Sequence, residues 1–474
     1  MIPSPSSQAP IRLRRLPDRV AATRSIDAAE AFRDLPGLVL LESARPGRNA
    51  RWTYLTADPV AVLESPAAGS DPFAVARRLV ARLDRTVLIP ADAPPFIGGL
   101  VGFLGYDIGS VLERLPAVAP ADQDLPPLRL ALHDWVVAWD RRTGHAWIGG
   151  RALDGDARRL ARRLDDVHAR LTTPGRSAAA NPPETMPAGP LIFHSGLDRR
   201  AYEAGVAAVR EHIADGDLYQ ANLTRRLETP FDGDPWPLYR RLRTGDPSLF
   251  SAYLDLGVGQ LTGHPRALLS ASPEPFLSVD ATGVVKTDPI KGTRPRGRDA
   301  ATDRTLARDL LASAKDRAEN VMIVDVLRND LGRVCRPGSV RVPRLCRLER
   351  TAAVQHLVST VTGVLAPGRD AFDLLAASFP GGSITGAPKI RAMEILEGLE
   401  PVRRGPYTGA IGWIGPDGAM QTSIVIRTFV ADGQRLTLHV GGGITWKSDP
   451  AAEWEETVTK ARGPLGAIGG IEAG

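Results

Sequence analysis

Cysteine and histidine are scarce in this sequence. Only two of the 474 residues are cysteine, Cys335 and Cys346, and the eight histidines show no spacing typical of a zinc site. These numbers exclude a disulfide-stabilised scaffold and predict two buried thiols in a reducing cytoplasm. The start of the chain is polar and rich in Pro and Ser, unlike a signal peptide, so we expect a cytoplasmic location.

Long apolar runs and nucleic-acid-binding patterns are also missing. No uninterrupted stretch of about 18 apolar residues occurs, so no membrane span is expected. Aromatic residues make up 5 % of the chain, and although the net charge is +5, basic residues are interspersed with acidic ones. We therefore expect no nucleic-acid partner, and the excess positive charge favours a small polyanionic substrate.

One compositional break divides the chain. Residues 172–190 are rich in Pro, Ala, Ser and Thr and are predicted to link an N-terminal region, 1–171, to a catalytic region, 191–465. The mixture of helices, strands and hairpins predicts an α+β layered architecture. Helices are predicted over Asp154–Leu171, Asp198–Ala214, Ala301–Leu331, Ala371–Ala377, Ile390–Leu399 and Ala451–Ala461, and strands over Leu38–Glu42, Ala131–Trp139, Phe276–Val279, Val284–Thr287, Ala410–Ile414, Ser423–Val430 and Leu436–Val440.

Lys291 lies between Pro289 and Gly292, at the exit of the second strand of the predicted hairpin. Proline stiffens this approach, and glycine lets another group come close to the backbone. A lysine held in this way can act as a nucleophile if its surroundings lower its pKa. The alternative is a solvated loop lysine beside two arginines.

Two predicted helices carry paired carboxylates. Asp316 and Glu319 are three residues apart, and Glu453 and Glu456 share a helix face with Lys460. Carboxylates without clustered His or Cys are typical of a hard-cation site, and Mg²⁺ is the cation that we expect. The alternative is that both pairs are ordinary surface carboxylates.

Two glycine-rich segments are candidates for anion binding. Ser378–Lys389 runs into a helix N-terminus, where free N–H groups can bind a carboxylate close to Lys389. Gly441, Gly442 and Gly443 follow a predicted strand and offer unhindered backbone donors. Either segment could also be an ordinary turn.

Taken together, these segments resemble the chorismate-utilising enzymes, which include anthranilate synthase, aminodeoxychorismate synthase, isochorismate synthase and salicylate synthase. The resemblance covers about residues 195–465 and implies two facing antiparallel sheets with helices outside and the active site between them. The matching segments are residues 216–223, 272–274, 289–293, 316–322, 328–331, 355–357, 379–389, 407–409 and 441–460.

Two positions distinguish the branches of that family. Members that use water carry a lysine base where this chain has Gln220, and anthranilate synthases carry alanine where this chain has Lys291. The resemblance therefore implies an aminodeoxychorismate synthase, which makes 4-amino-4-deoxychorismate from chorismate and ammonia on the route to p-aminobenzoate and folate. Anthranilate synthase is the alternative within the family, and a non-catalytic chorismate or tryptophan sensor is the alternative of another class.

The resemblance also implies roles for individual residues. Lys291 would attack the substrate, and Glu274 would protonate the departing hydroxyl. Glu319 and Glu456 would bind Mg²⁺ directly, whereas Asp316 and Glu453 would act through water. The residues expected to bind the substrate are Gln220, Thr293, His356, Thr385, Lys389, Tyr407, Arg427, Gly441, Gly442, Gly443 and Lys460.

Two further expectations concern partners and regulation. No glutamine amidotransferase segment is visible, so ammonia would come from solution or from a separate glutamine amidotransferase subunit, and a separate aminodeoxychorismate lyase would take the product. Leu41, Glu42 and Ser43 resemble the tryptophan-binding segment of anthranilate synthases, with a carboxylate and a hydroxyl on a strand edge. The alternative is a core strand that ends at a polar turn, and we expect any bound tryptophan to be structural.

Overall fold

The structure is a computed structural model that describes residues 12–47, 50–67, 69, 71–85, 92–173, 189–351 and 354–473. The polar start of the chain and most of the predicted linker lie outside these residues. The helices are α1 (Asp18–Ala21), α2 (Ser25–Ala29), α3 (Ala74–Val80), α4 (Gly109–Leu112), α5 (Ala157–Thr172), α6 (Arg199–Ala214), α7 (Trp236–Gly245), α8 (Ala300–Ala312), α9 (Ala314–Gly332), α10 (Ala371–Ser378), α11 (Lys389–Leu399) and α12 (Pro450–Ile468).

The described residues also form 23 strands. They are β1 (Arg12–Arg15), β2 (Val39–Glu42), β3 (Trp52–Thr56), β4 (Ala61–Leu63), β5 (Gly99–Leu104), β6 (Leu128–His133), β7 (Trp135–Asp140), β8 (His145–Gly150), β9 (Leu191–Ser195), β10 (Gln220–Pro230), β11 (Phe250–Val258), β12 (Pro265–Ser272), β13 (Pro275–Val279), β14 (Val284–Thr287), β15 (Ile290–Pro295), β16 (Arg341–Arg350), β17 (Val354–Val364), β18 (Gly386–Ala387), β19 (Ala410–Ile414), β20 (Met420–Ile424), β21 (Thr428–Asp432), β22 (Arg435–Ile444) and β23 (Gly470–Glu472).

Within the described residues these strands build two sheets. The larger sheet has thirteen strands in the order β1-β8-β7-β3-β2-β11-β12-β21-β22-β10-β9-β23, with β18 also paired to β10. The smaller sheet has ten strands in the order β15-β17-β14-β13-β20-β19-β5-β6-β4, with β16 also paired to β17. Strands from both sides of the 172–190 segment share each sheet, so the N-terminal region is interleaved with the catalytic region.

The sheets face each other across an apolar layer. Val39 and Leu254 of the larger sheet pack in this layer with Val101 and Trp413 of the smaller one. A second apolar cluster joins the outer face of the larger sheet to α5, α7 and α12, and a third joins the smaller sheet to α9 and α10. The expected α+β sandwich with helices outside is therefore confirmed. None of the described helices combines the length and apolar character needed to cross a bilayer.

Two predicted strands are wrong because the chain changes sheets within them. The predicted strand Ala131–Trp139 is divided at Asp134 into β6 of the smaller sheet and β7 of the larger one. The predicted strand Ser423–Val430 is likewise divided into β20 and β21, and Arg427 adopts a left-handed backbone with φ of 49° before β21. The residues on both sides of each crossing are mostly buried and apolar, so hydrophobic periodicity did not reveal the crossing, although Asp134 and Arg427 are polar residues that mark it.

Two predicted helix boundaries are also wrong. The helix predicted over Ala301–Leu331 is divided at Ser313, whose side chain accepts a hydrogen bond from the backbone N–H of Asp316 and so caps α9. The last helix continues through Pro464 to Ile468, because Leu465 and Ile468 are buried in the core of the larger sheet. Their burial outweighs the hydrogen bond that the proline lacks.

Candidate active site

Lys291 lies on β15, which pairs with β17 in the smaller sheet. The register shifts between Lys291 and Thr293, and Gly292 in this bulge has φ of 76°. A Cβ atom on Gly292 would come within 2.8 Å of the Asp316 Cβ atom, so only glycine lets α9 pack this closely against the bulge. The lysine is therefore held on a short strand rather than in a solvated loop, and it is directed towards the segment between α10 and α11.

Ser383 of that segment brings Lys291 and Glu274 together. The Lys291 Nζ atom donates a hydrogen bond of 3.0 Å to the Ser383 carbonyl oxygen. The Ser383 hydroxyl donates a hydrogen bond of 3.2 Å to the Glu274 Oε1 atom. Glu274 lies where the chain passes from β12 in the larger sheet to β13 in the smaller one. The expected nucleophile and the expected acid therefore meet at one serine.

Burial shifts the pKa of both groups in the direction that favours the neutral form. It raises the pKa of Glu274 above its ordinary value, although the positive charge of Lys291 and the Ser383 hydrogen bond oppose this change. Burial lowers the pKa of Lys291, against the opposing effect of the Glu274 and Glu319 carboxylates. An uncharged lysine beside a protonated carboxyl is the combination that a nucleophile and a general acid require.

The four expected metal-binding carboxylates lie on α9 and α12. Glu456 accepts a hydrogen bond of 2.7 Å from Lys460, which also donates a hydrogen bond of 2.8 Å to the Gly441 carbonyl oxygen. The other three are partnered as well: Glu319 has Lys315 at 3.9 Å, Asp316 has Arg294 at 2.9 Å, and Glu453 accepts 2.6 Å from the Ser448 hydroxyl.

These carboxylates influence one another electrostatically. Burial raises the pKa of Glu319, and the charges of Asp316 and Glu456 raise it further. Burial also raises the pKa of Glu453, and Glu456 adds to this effect. Within the described residues, no three His, Cys, Asp or Glu side chains converge into a ready-made metal cluster. The carboxylates on the two helices repel one another, and such a set is nevertheless suited to a hard cation. A cation of this kind would complete its coordination with water and a carboxylate of the substrate.

The three consecutive glycines belong to β22 and not to a loop. Gly441, Gly442 and Gly443 pair in register with β10 along one edge of β22, whereas the pairing of β22 with β21 along the other edge covers only Leu436 to Leu438. The expected backbone donors of the glycine run therefore stay a prediction for that second edge. Because they have no side chain, these glycines let other side chains come close to the strand: a Cβ atom on Gly442 would come within 2.8 Å of the Glu453 carboxylate. A Cβ atom on Gly443 would similarly come within 2.3 Å of the Gln220 amide nitrogen. These glycines let two candidate side chains pack directly against the strand.

A second group of candidate residues surrounds His356. The Nδ1 atom of His356 lies 2.8 Å from the Thr293 hydroxyl. Burial, together with the nearby charges of Arg45 and Arg427, lowers the pKa of His356 to about 4. Arg427 lies 3.8 Å from Asp246 and its side chain is 45 % exposed. A neutral histidine with the positive charges of two arginines nearby is an arrangement that is suited to a substrate carboxylate.

Thr385, Lys389 and Tyr407 have internal partners. Thr385 is fully buried and donates to the Gly381 carbonyl oxygen, whereas the Tyr407 ring stacks on His439 with centroids 5.0 Å apart. Lys389 donates hydrogen bonds of 2.9 Å to Asp330 and to the Ser378 carbonyl oxygen. Lys389 therefore joins the segment after α10 to α9, and its ammonium group is not directed to the group around Lys291.

The N-terminal candidate residues border a separate cavity. A cavity of about 520 Å³ between the sheets is lined by Leu41 and Ser43 and by the backbone near Glu42. The Glu42 carboxylate lies on the opposite face of β2, where it accepts hydrogen bonds from Tyr239 and Arg243. The strand is also interior, between β3 and β11, so the expected edge position is wrong.

Sequence reasoning missed two residues of this site, Ser383 and Arg45. Ser383 lies within the glycine-rich segment, but its position between Gly382 and a buried isoleucine gave no sign that it would contact both Lys291 and Glu274. Arg45 belongs to a basic stretch after β2, and only the folded chain brings its charge close to His356. A glycine-glycine-serine turn is the signal that could have drawn attention to Ser383.

Comparisons with known proteins agree with this geometry. A family profile described as chorismate binding enzyme matches residues 39–466. Anthranilate synthase component 1 of Streptomyces coelicolor is 42 % identical over 95 % of this chain and 88 % of its own length. Aminodeoxychorismate synthase component 1 of Salmonella typhimurium is 40 % identical over 92 % of this chain and 94 % of its own length.

A solved structure is similar over almost the same range. The crystal structure of anthranilate synthase component I from Streptococcus pneumoniae superposes with a TM-score of 0.77 at 30 % identity, covering 89 % of this chain and 93 % of that one. The sequence resemblance, the family match and the shared fold therefore lead to one conclusion. The chain belongs to the chorismate-binding enzyme family.

Proposed function

We propose that this enzyme is an aminodeoxychorismate synthase component 1, which converts chorismate and ammonia to 4-amino-4-deoxychorismate and water. The observation that carries the proposal is the half-buried Lys291, whose Nζ atom meets Glu274 at Ser383. A nucleophilic lysine explains how nitrogen reaches C4 rather than C2, because two successive displacements with allylic shift are then possible.

The proposed reaction has two displacements. In the first, Lys291 Nζ bonds to C2, both ring double bonds shift by one position, and the C4–O bond breaks as Glu274 protonates the departing hydroxyl to water. In the second, ammonia bonds to C4, both double bonds shift back, the C2–Nζ bond breaks to release the neutral lysine, and the new ammonium group returns a proton to Glu274. A buried carboxyl with a raised pKa suits the first step because it holds its proton more readily than an exposed glutamate does.

The remaining residues would bind and orient the two substrate carboxylates. Arg427, Arg45 and His356 would hold one carboxylate, and Lys460 would stand near the other. Glu319 and Glu456 would bind Mg²⁺ directly, with Asp316 and Glu453 acting through water. A bound Mg²⁺ would supply positive charge to a substrate carboxylate.

Anthranilate synthase is a second candidate, because the relative from Streptomyces coelicolor carries that name at 42 % identity. It would make the ortho product by a single attack of ammonia at C2, with no role for the lysine. The non-catalytic sensor has no comparable support. We further propose a cytoplasmic enzyme of folate biosynthesis that works with a separate glutamine amidotransferase subunit and a downstream aminodeoxychorismate lyase.

The identity of the product separates the two candidates. Purified enzyme with chorismate, Mg²⁺ and ammonium should form 4-amino-4-deoxychorismate, resolved from anthranilate by chromatography. Lys291→Ala should abolish this product without unfolding the protein, since it removes the nucleophile, and anthranilate should become the residual product. Undiminished para product from the variant would contradict the covalent mechanism.

Glu274→Gln should separate stability from activity. The folded-state pKa of Glu274 is raised, so its charged form opposes folding, and stability is lost as pH rises through that pKa. The variant should therefore melt higher than the native protein at about pH 7, with the difference vanishing near about pH 4. Turnover should fall about 10²–10⁴-fold because the general acid is lost. Glu211→Gln on the exposed face of α6 is the control, and an unchanged or lower melting temperature for Glu274→Gln would contradict the argument.

Variants of the four carboxylates test the proposed Mg²⁺ ligands. Glu319→Gln or Glu456→Gln should raise the Mg²⁺ concentration for half-maximal activity at least about tenfold, and Asp316→Asn or Glu453→Gln should raise it less. Glu455→Gln, on the exposed side of α12 and 60 % exposed, should leave it unchanged. Equal effects at all four positions would show that the division into direct and water-mediated ligands is wrong.

We expect any tryptophan that binds in the cavity between the sheets to be a structural ligand and not an inhibitor. The cavity has room for an indole ring, but the Glu42 carboxylate is committed to Tyr239 and Arg243 on the other face of β2. Titration of tryptophan should therefore leave the initial rate unchanged while the melting temperature rises. Inhibition at micromolar tryptophan would favour anthranilate synthase instead.

A further inference from the structure

Asp246 places a carboxylate beside the arginines that are proposed to bind the substrate. It directly follows α7, and its Oδ1 atom lies 3.8 Å from the Arg427 Nη1 atom. Its Oδ2 atom is buried and, within the described residues, accepts no hydrogen bond. Because a buried oxygen without a donor costs free energy, the stability of the fold does not by itself account for this carboxylate.

The charges of Asp246, Arg427 and Arg45 act on one another. Burial raises the pKa of Asp246, and the positive charges of Arg427 and Arg45 oppose this rise. Burial lowers the pKa of Arg45, the charge of Arg427 lowers it further, and the charge of Asp246 opposes both effects. The two arginines therefore repel each other, and Asp246 offsets part of their positive charge in the ligand-free protein.

The pairing of Asp246 with the arginines is loose. At 3.8 Å the carboxylate of Asp246 and the guanidinium group of Arg427 attract each other without a hydrogen bond. The Arg45 Nε atom is buried and also has no hydrogen-bond partner among the described residues. Both arginines thus keep donors for a ligand, and a carboxylate that formed charge-assisted hydrogen bonds with them would replace Asp246 as their partner.

The backbone that carries this carboxylate is held firmly. The Asp246 N–H donates a hydrogen bond of 2.8 Å to the Leu242 carbonyl oxygen. A Cβ atom on Gly245 would come within 2.8 Å of the Ala467 Cβ atom, so the end of α7 packs closely on α12. The Asp246 side chain is nevertheless 20 % exposed. It can therefore turn towards solvent when a ligand arrives, while its backbone stays in place.

An internal carboxylate of this kind discriminates between anions. An inorganic anion that meets Arg427 and Arg45 gains little beyond their charge, and Asp246 has already offset part of that charge. Chorismate carries a second carboxylate, and Lys460 is proposed to stand near it. Contacts of that sort compensate for the displacement of Asp246, so the carboxylate lowers the affinity for small anions more than the affinity for the substrate.

We propose that Asp246 is a specificity-determining residue, whose carboxylate partners Arg427 and Arg45 in the absence of substrate and so favours chorismate over inorganic anions. The inference rests on the proposed function in placing a carboxylate of chorismate at these arginines. It does not depend on which carbon ammonia attacks, so it holds for the para and the ortho product alike.

Steady-state kinetics with sulfate as the competing anion test this role at constant ionic strength. Asp246→Asn keeps the size of the side chain and removes its charge. The inhibition constant of sulfate should therefore fall about tenfold, the KM for chorismate should fall about threefold, and kcat should stay within about twofold. Asp246→Glu lengthens the side chain towards Arg427 and should raise both the inhibition constant and the KM.

Thermal unfolding without chorismate gives a second measurement. Sulfate should raise the melting temperature of Asp246→Asn more than that of the native protein, because it binds the variant more tightly. Asp232→Asn is the matched control, since it makes the same change of charge at an exposed position between β10 and α7. This control should leave the kinetic constants and the response to sulfate unchanged.

Two outcomes would overturn the proposal. If Asp246→Asn raises the KM for chorismate, or leaves the response to sulfate unchanged, Asp246 only supports Arg427. If Asp246→Asn does not fold, a lower KM for chorismate in Asp246→Glu would contradict the proposal instead. Arg427→Gln and the ratio of para to ortho product are measured in parallel. An unchanged KM for chorismate in Arg427→Gln would refute the proposed carboxylate site itself, and the product ratio tests the proposed reaction, so these failures are distinguished.

Discussion

Two neighbouring segments cross from one sheet to the other side by side, and the hydrogen bonds between them hold the site together. The first crossing joins β12 to β13 and contains Glu274; the second joins β20 to β21 and contains Arg427. The Ala271 N–H donates to the Arg427 carbonyl at 3.0 Å, and the Ile424 N–H donates to the Glu274 carbonyl at 3.1 Å. Each sheet is anchored by its own apolar clusters, so neither crossing can shift alone. Two candidate site residues are thus positioned by the sheets themselves and not by a flexible loop.

The buried charged groups of the candidate site lower the stability of the folded protein. Burial disfavours the charged forms of Lys291, Glu274 and Glu319, and the charges of Asp316 and Glu456 raise the pKa of Glu319 further. Such an arrangement costs free energy of folding, and perturbed pKa values of this kind are concentrated at functional sites. Close approach at Gly292 and Gly442 permits this concentration of charge, because any side chain there would displace Asp316 or Glu453.

One face of β10 is unusually polar for a strand inside a sheet. It carries Gln220, Asn222, Thr224 and Arg226, whereas Ala221 and Leu223 on the other face pack against α6 next to the buried Arg225. The buried ion pair of Arg404 with Glu400 covers this face, and a buried pair of this kind contributes more to a defined arrangement than to net stability. One strand therefore contributes to the core on one side and to a buried polar group on the other.

The sequence by itself determined the family, the α+β class and the chemical types of the site, because Lys291, Glu274 and the carboxylate pairs lie in segments of recognisable pattern. It also located the hairpin of β13 and β14 and helix α6, whose turn and cap signals are local. Only the tertiary structure decided where strands change sheets, that Lys389 binds Asp330, that the Glu42 carboxylate leaves the cavity, and that Ser383 joins Lys291 to Glu274. Those outcomes depend on contacts between residues far apart in the chain, and hydrophobic periodicity and motif spacing carry no information about which distant segment packs on which face.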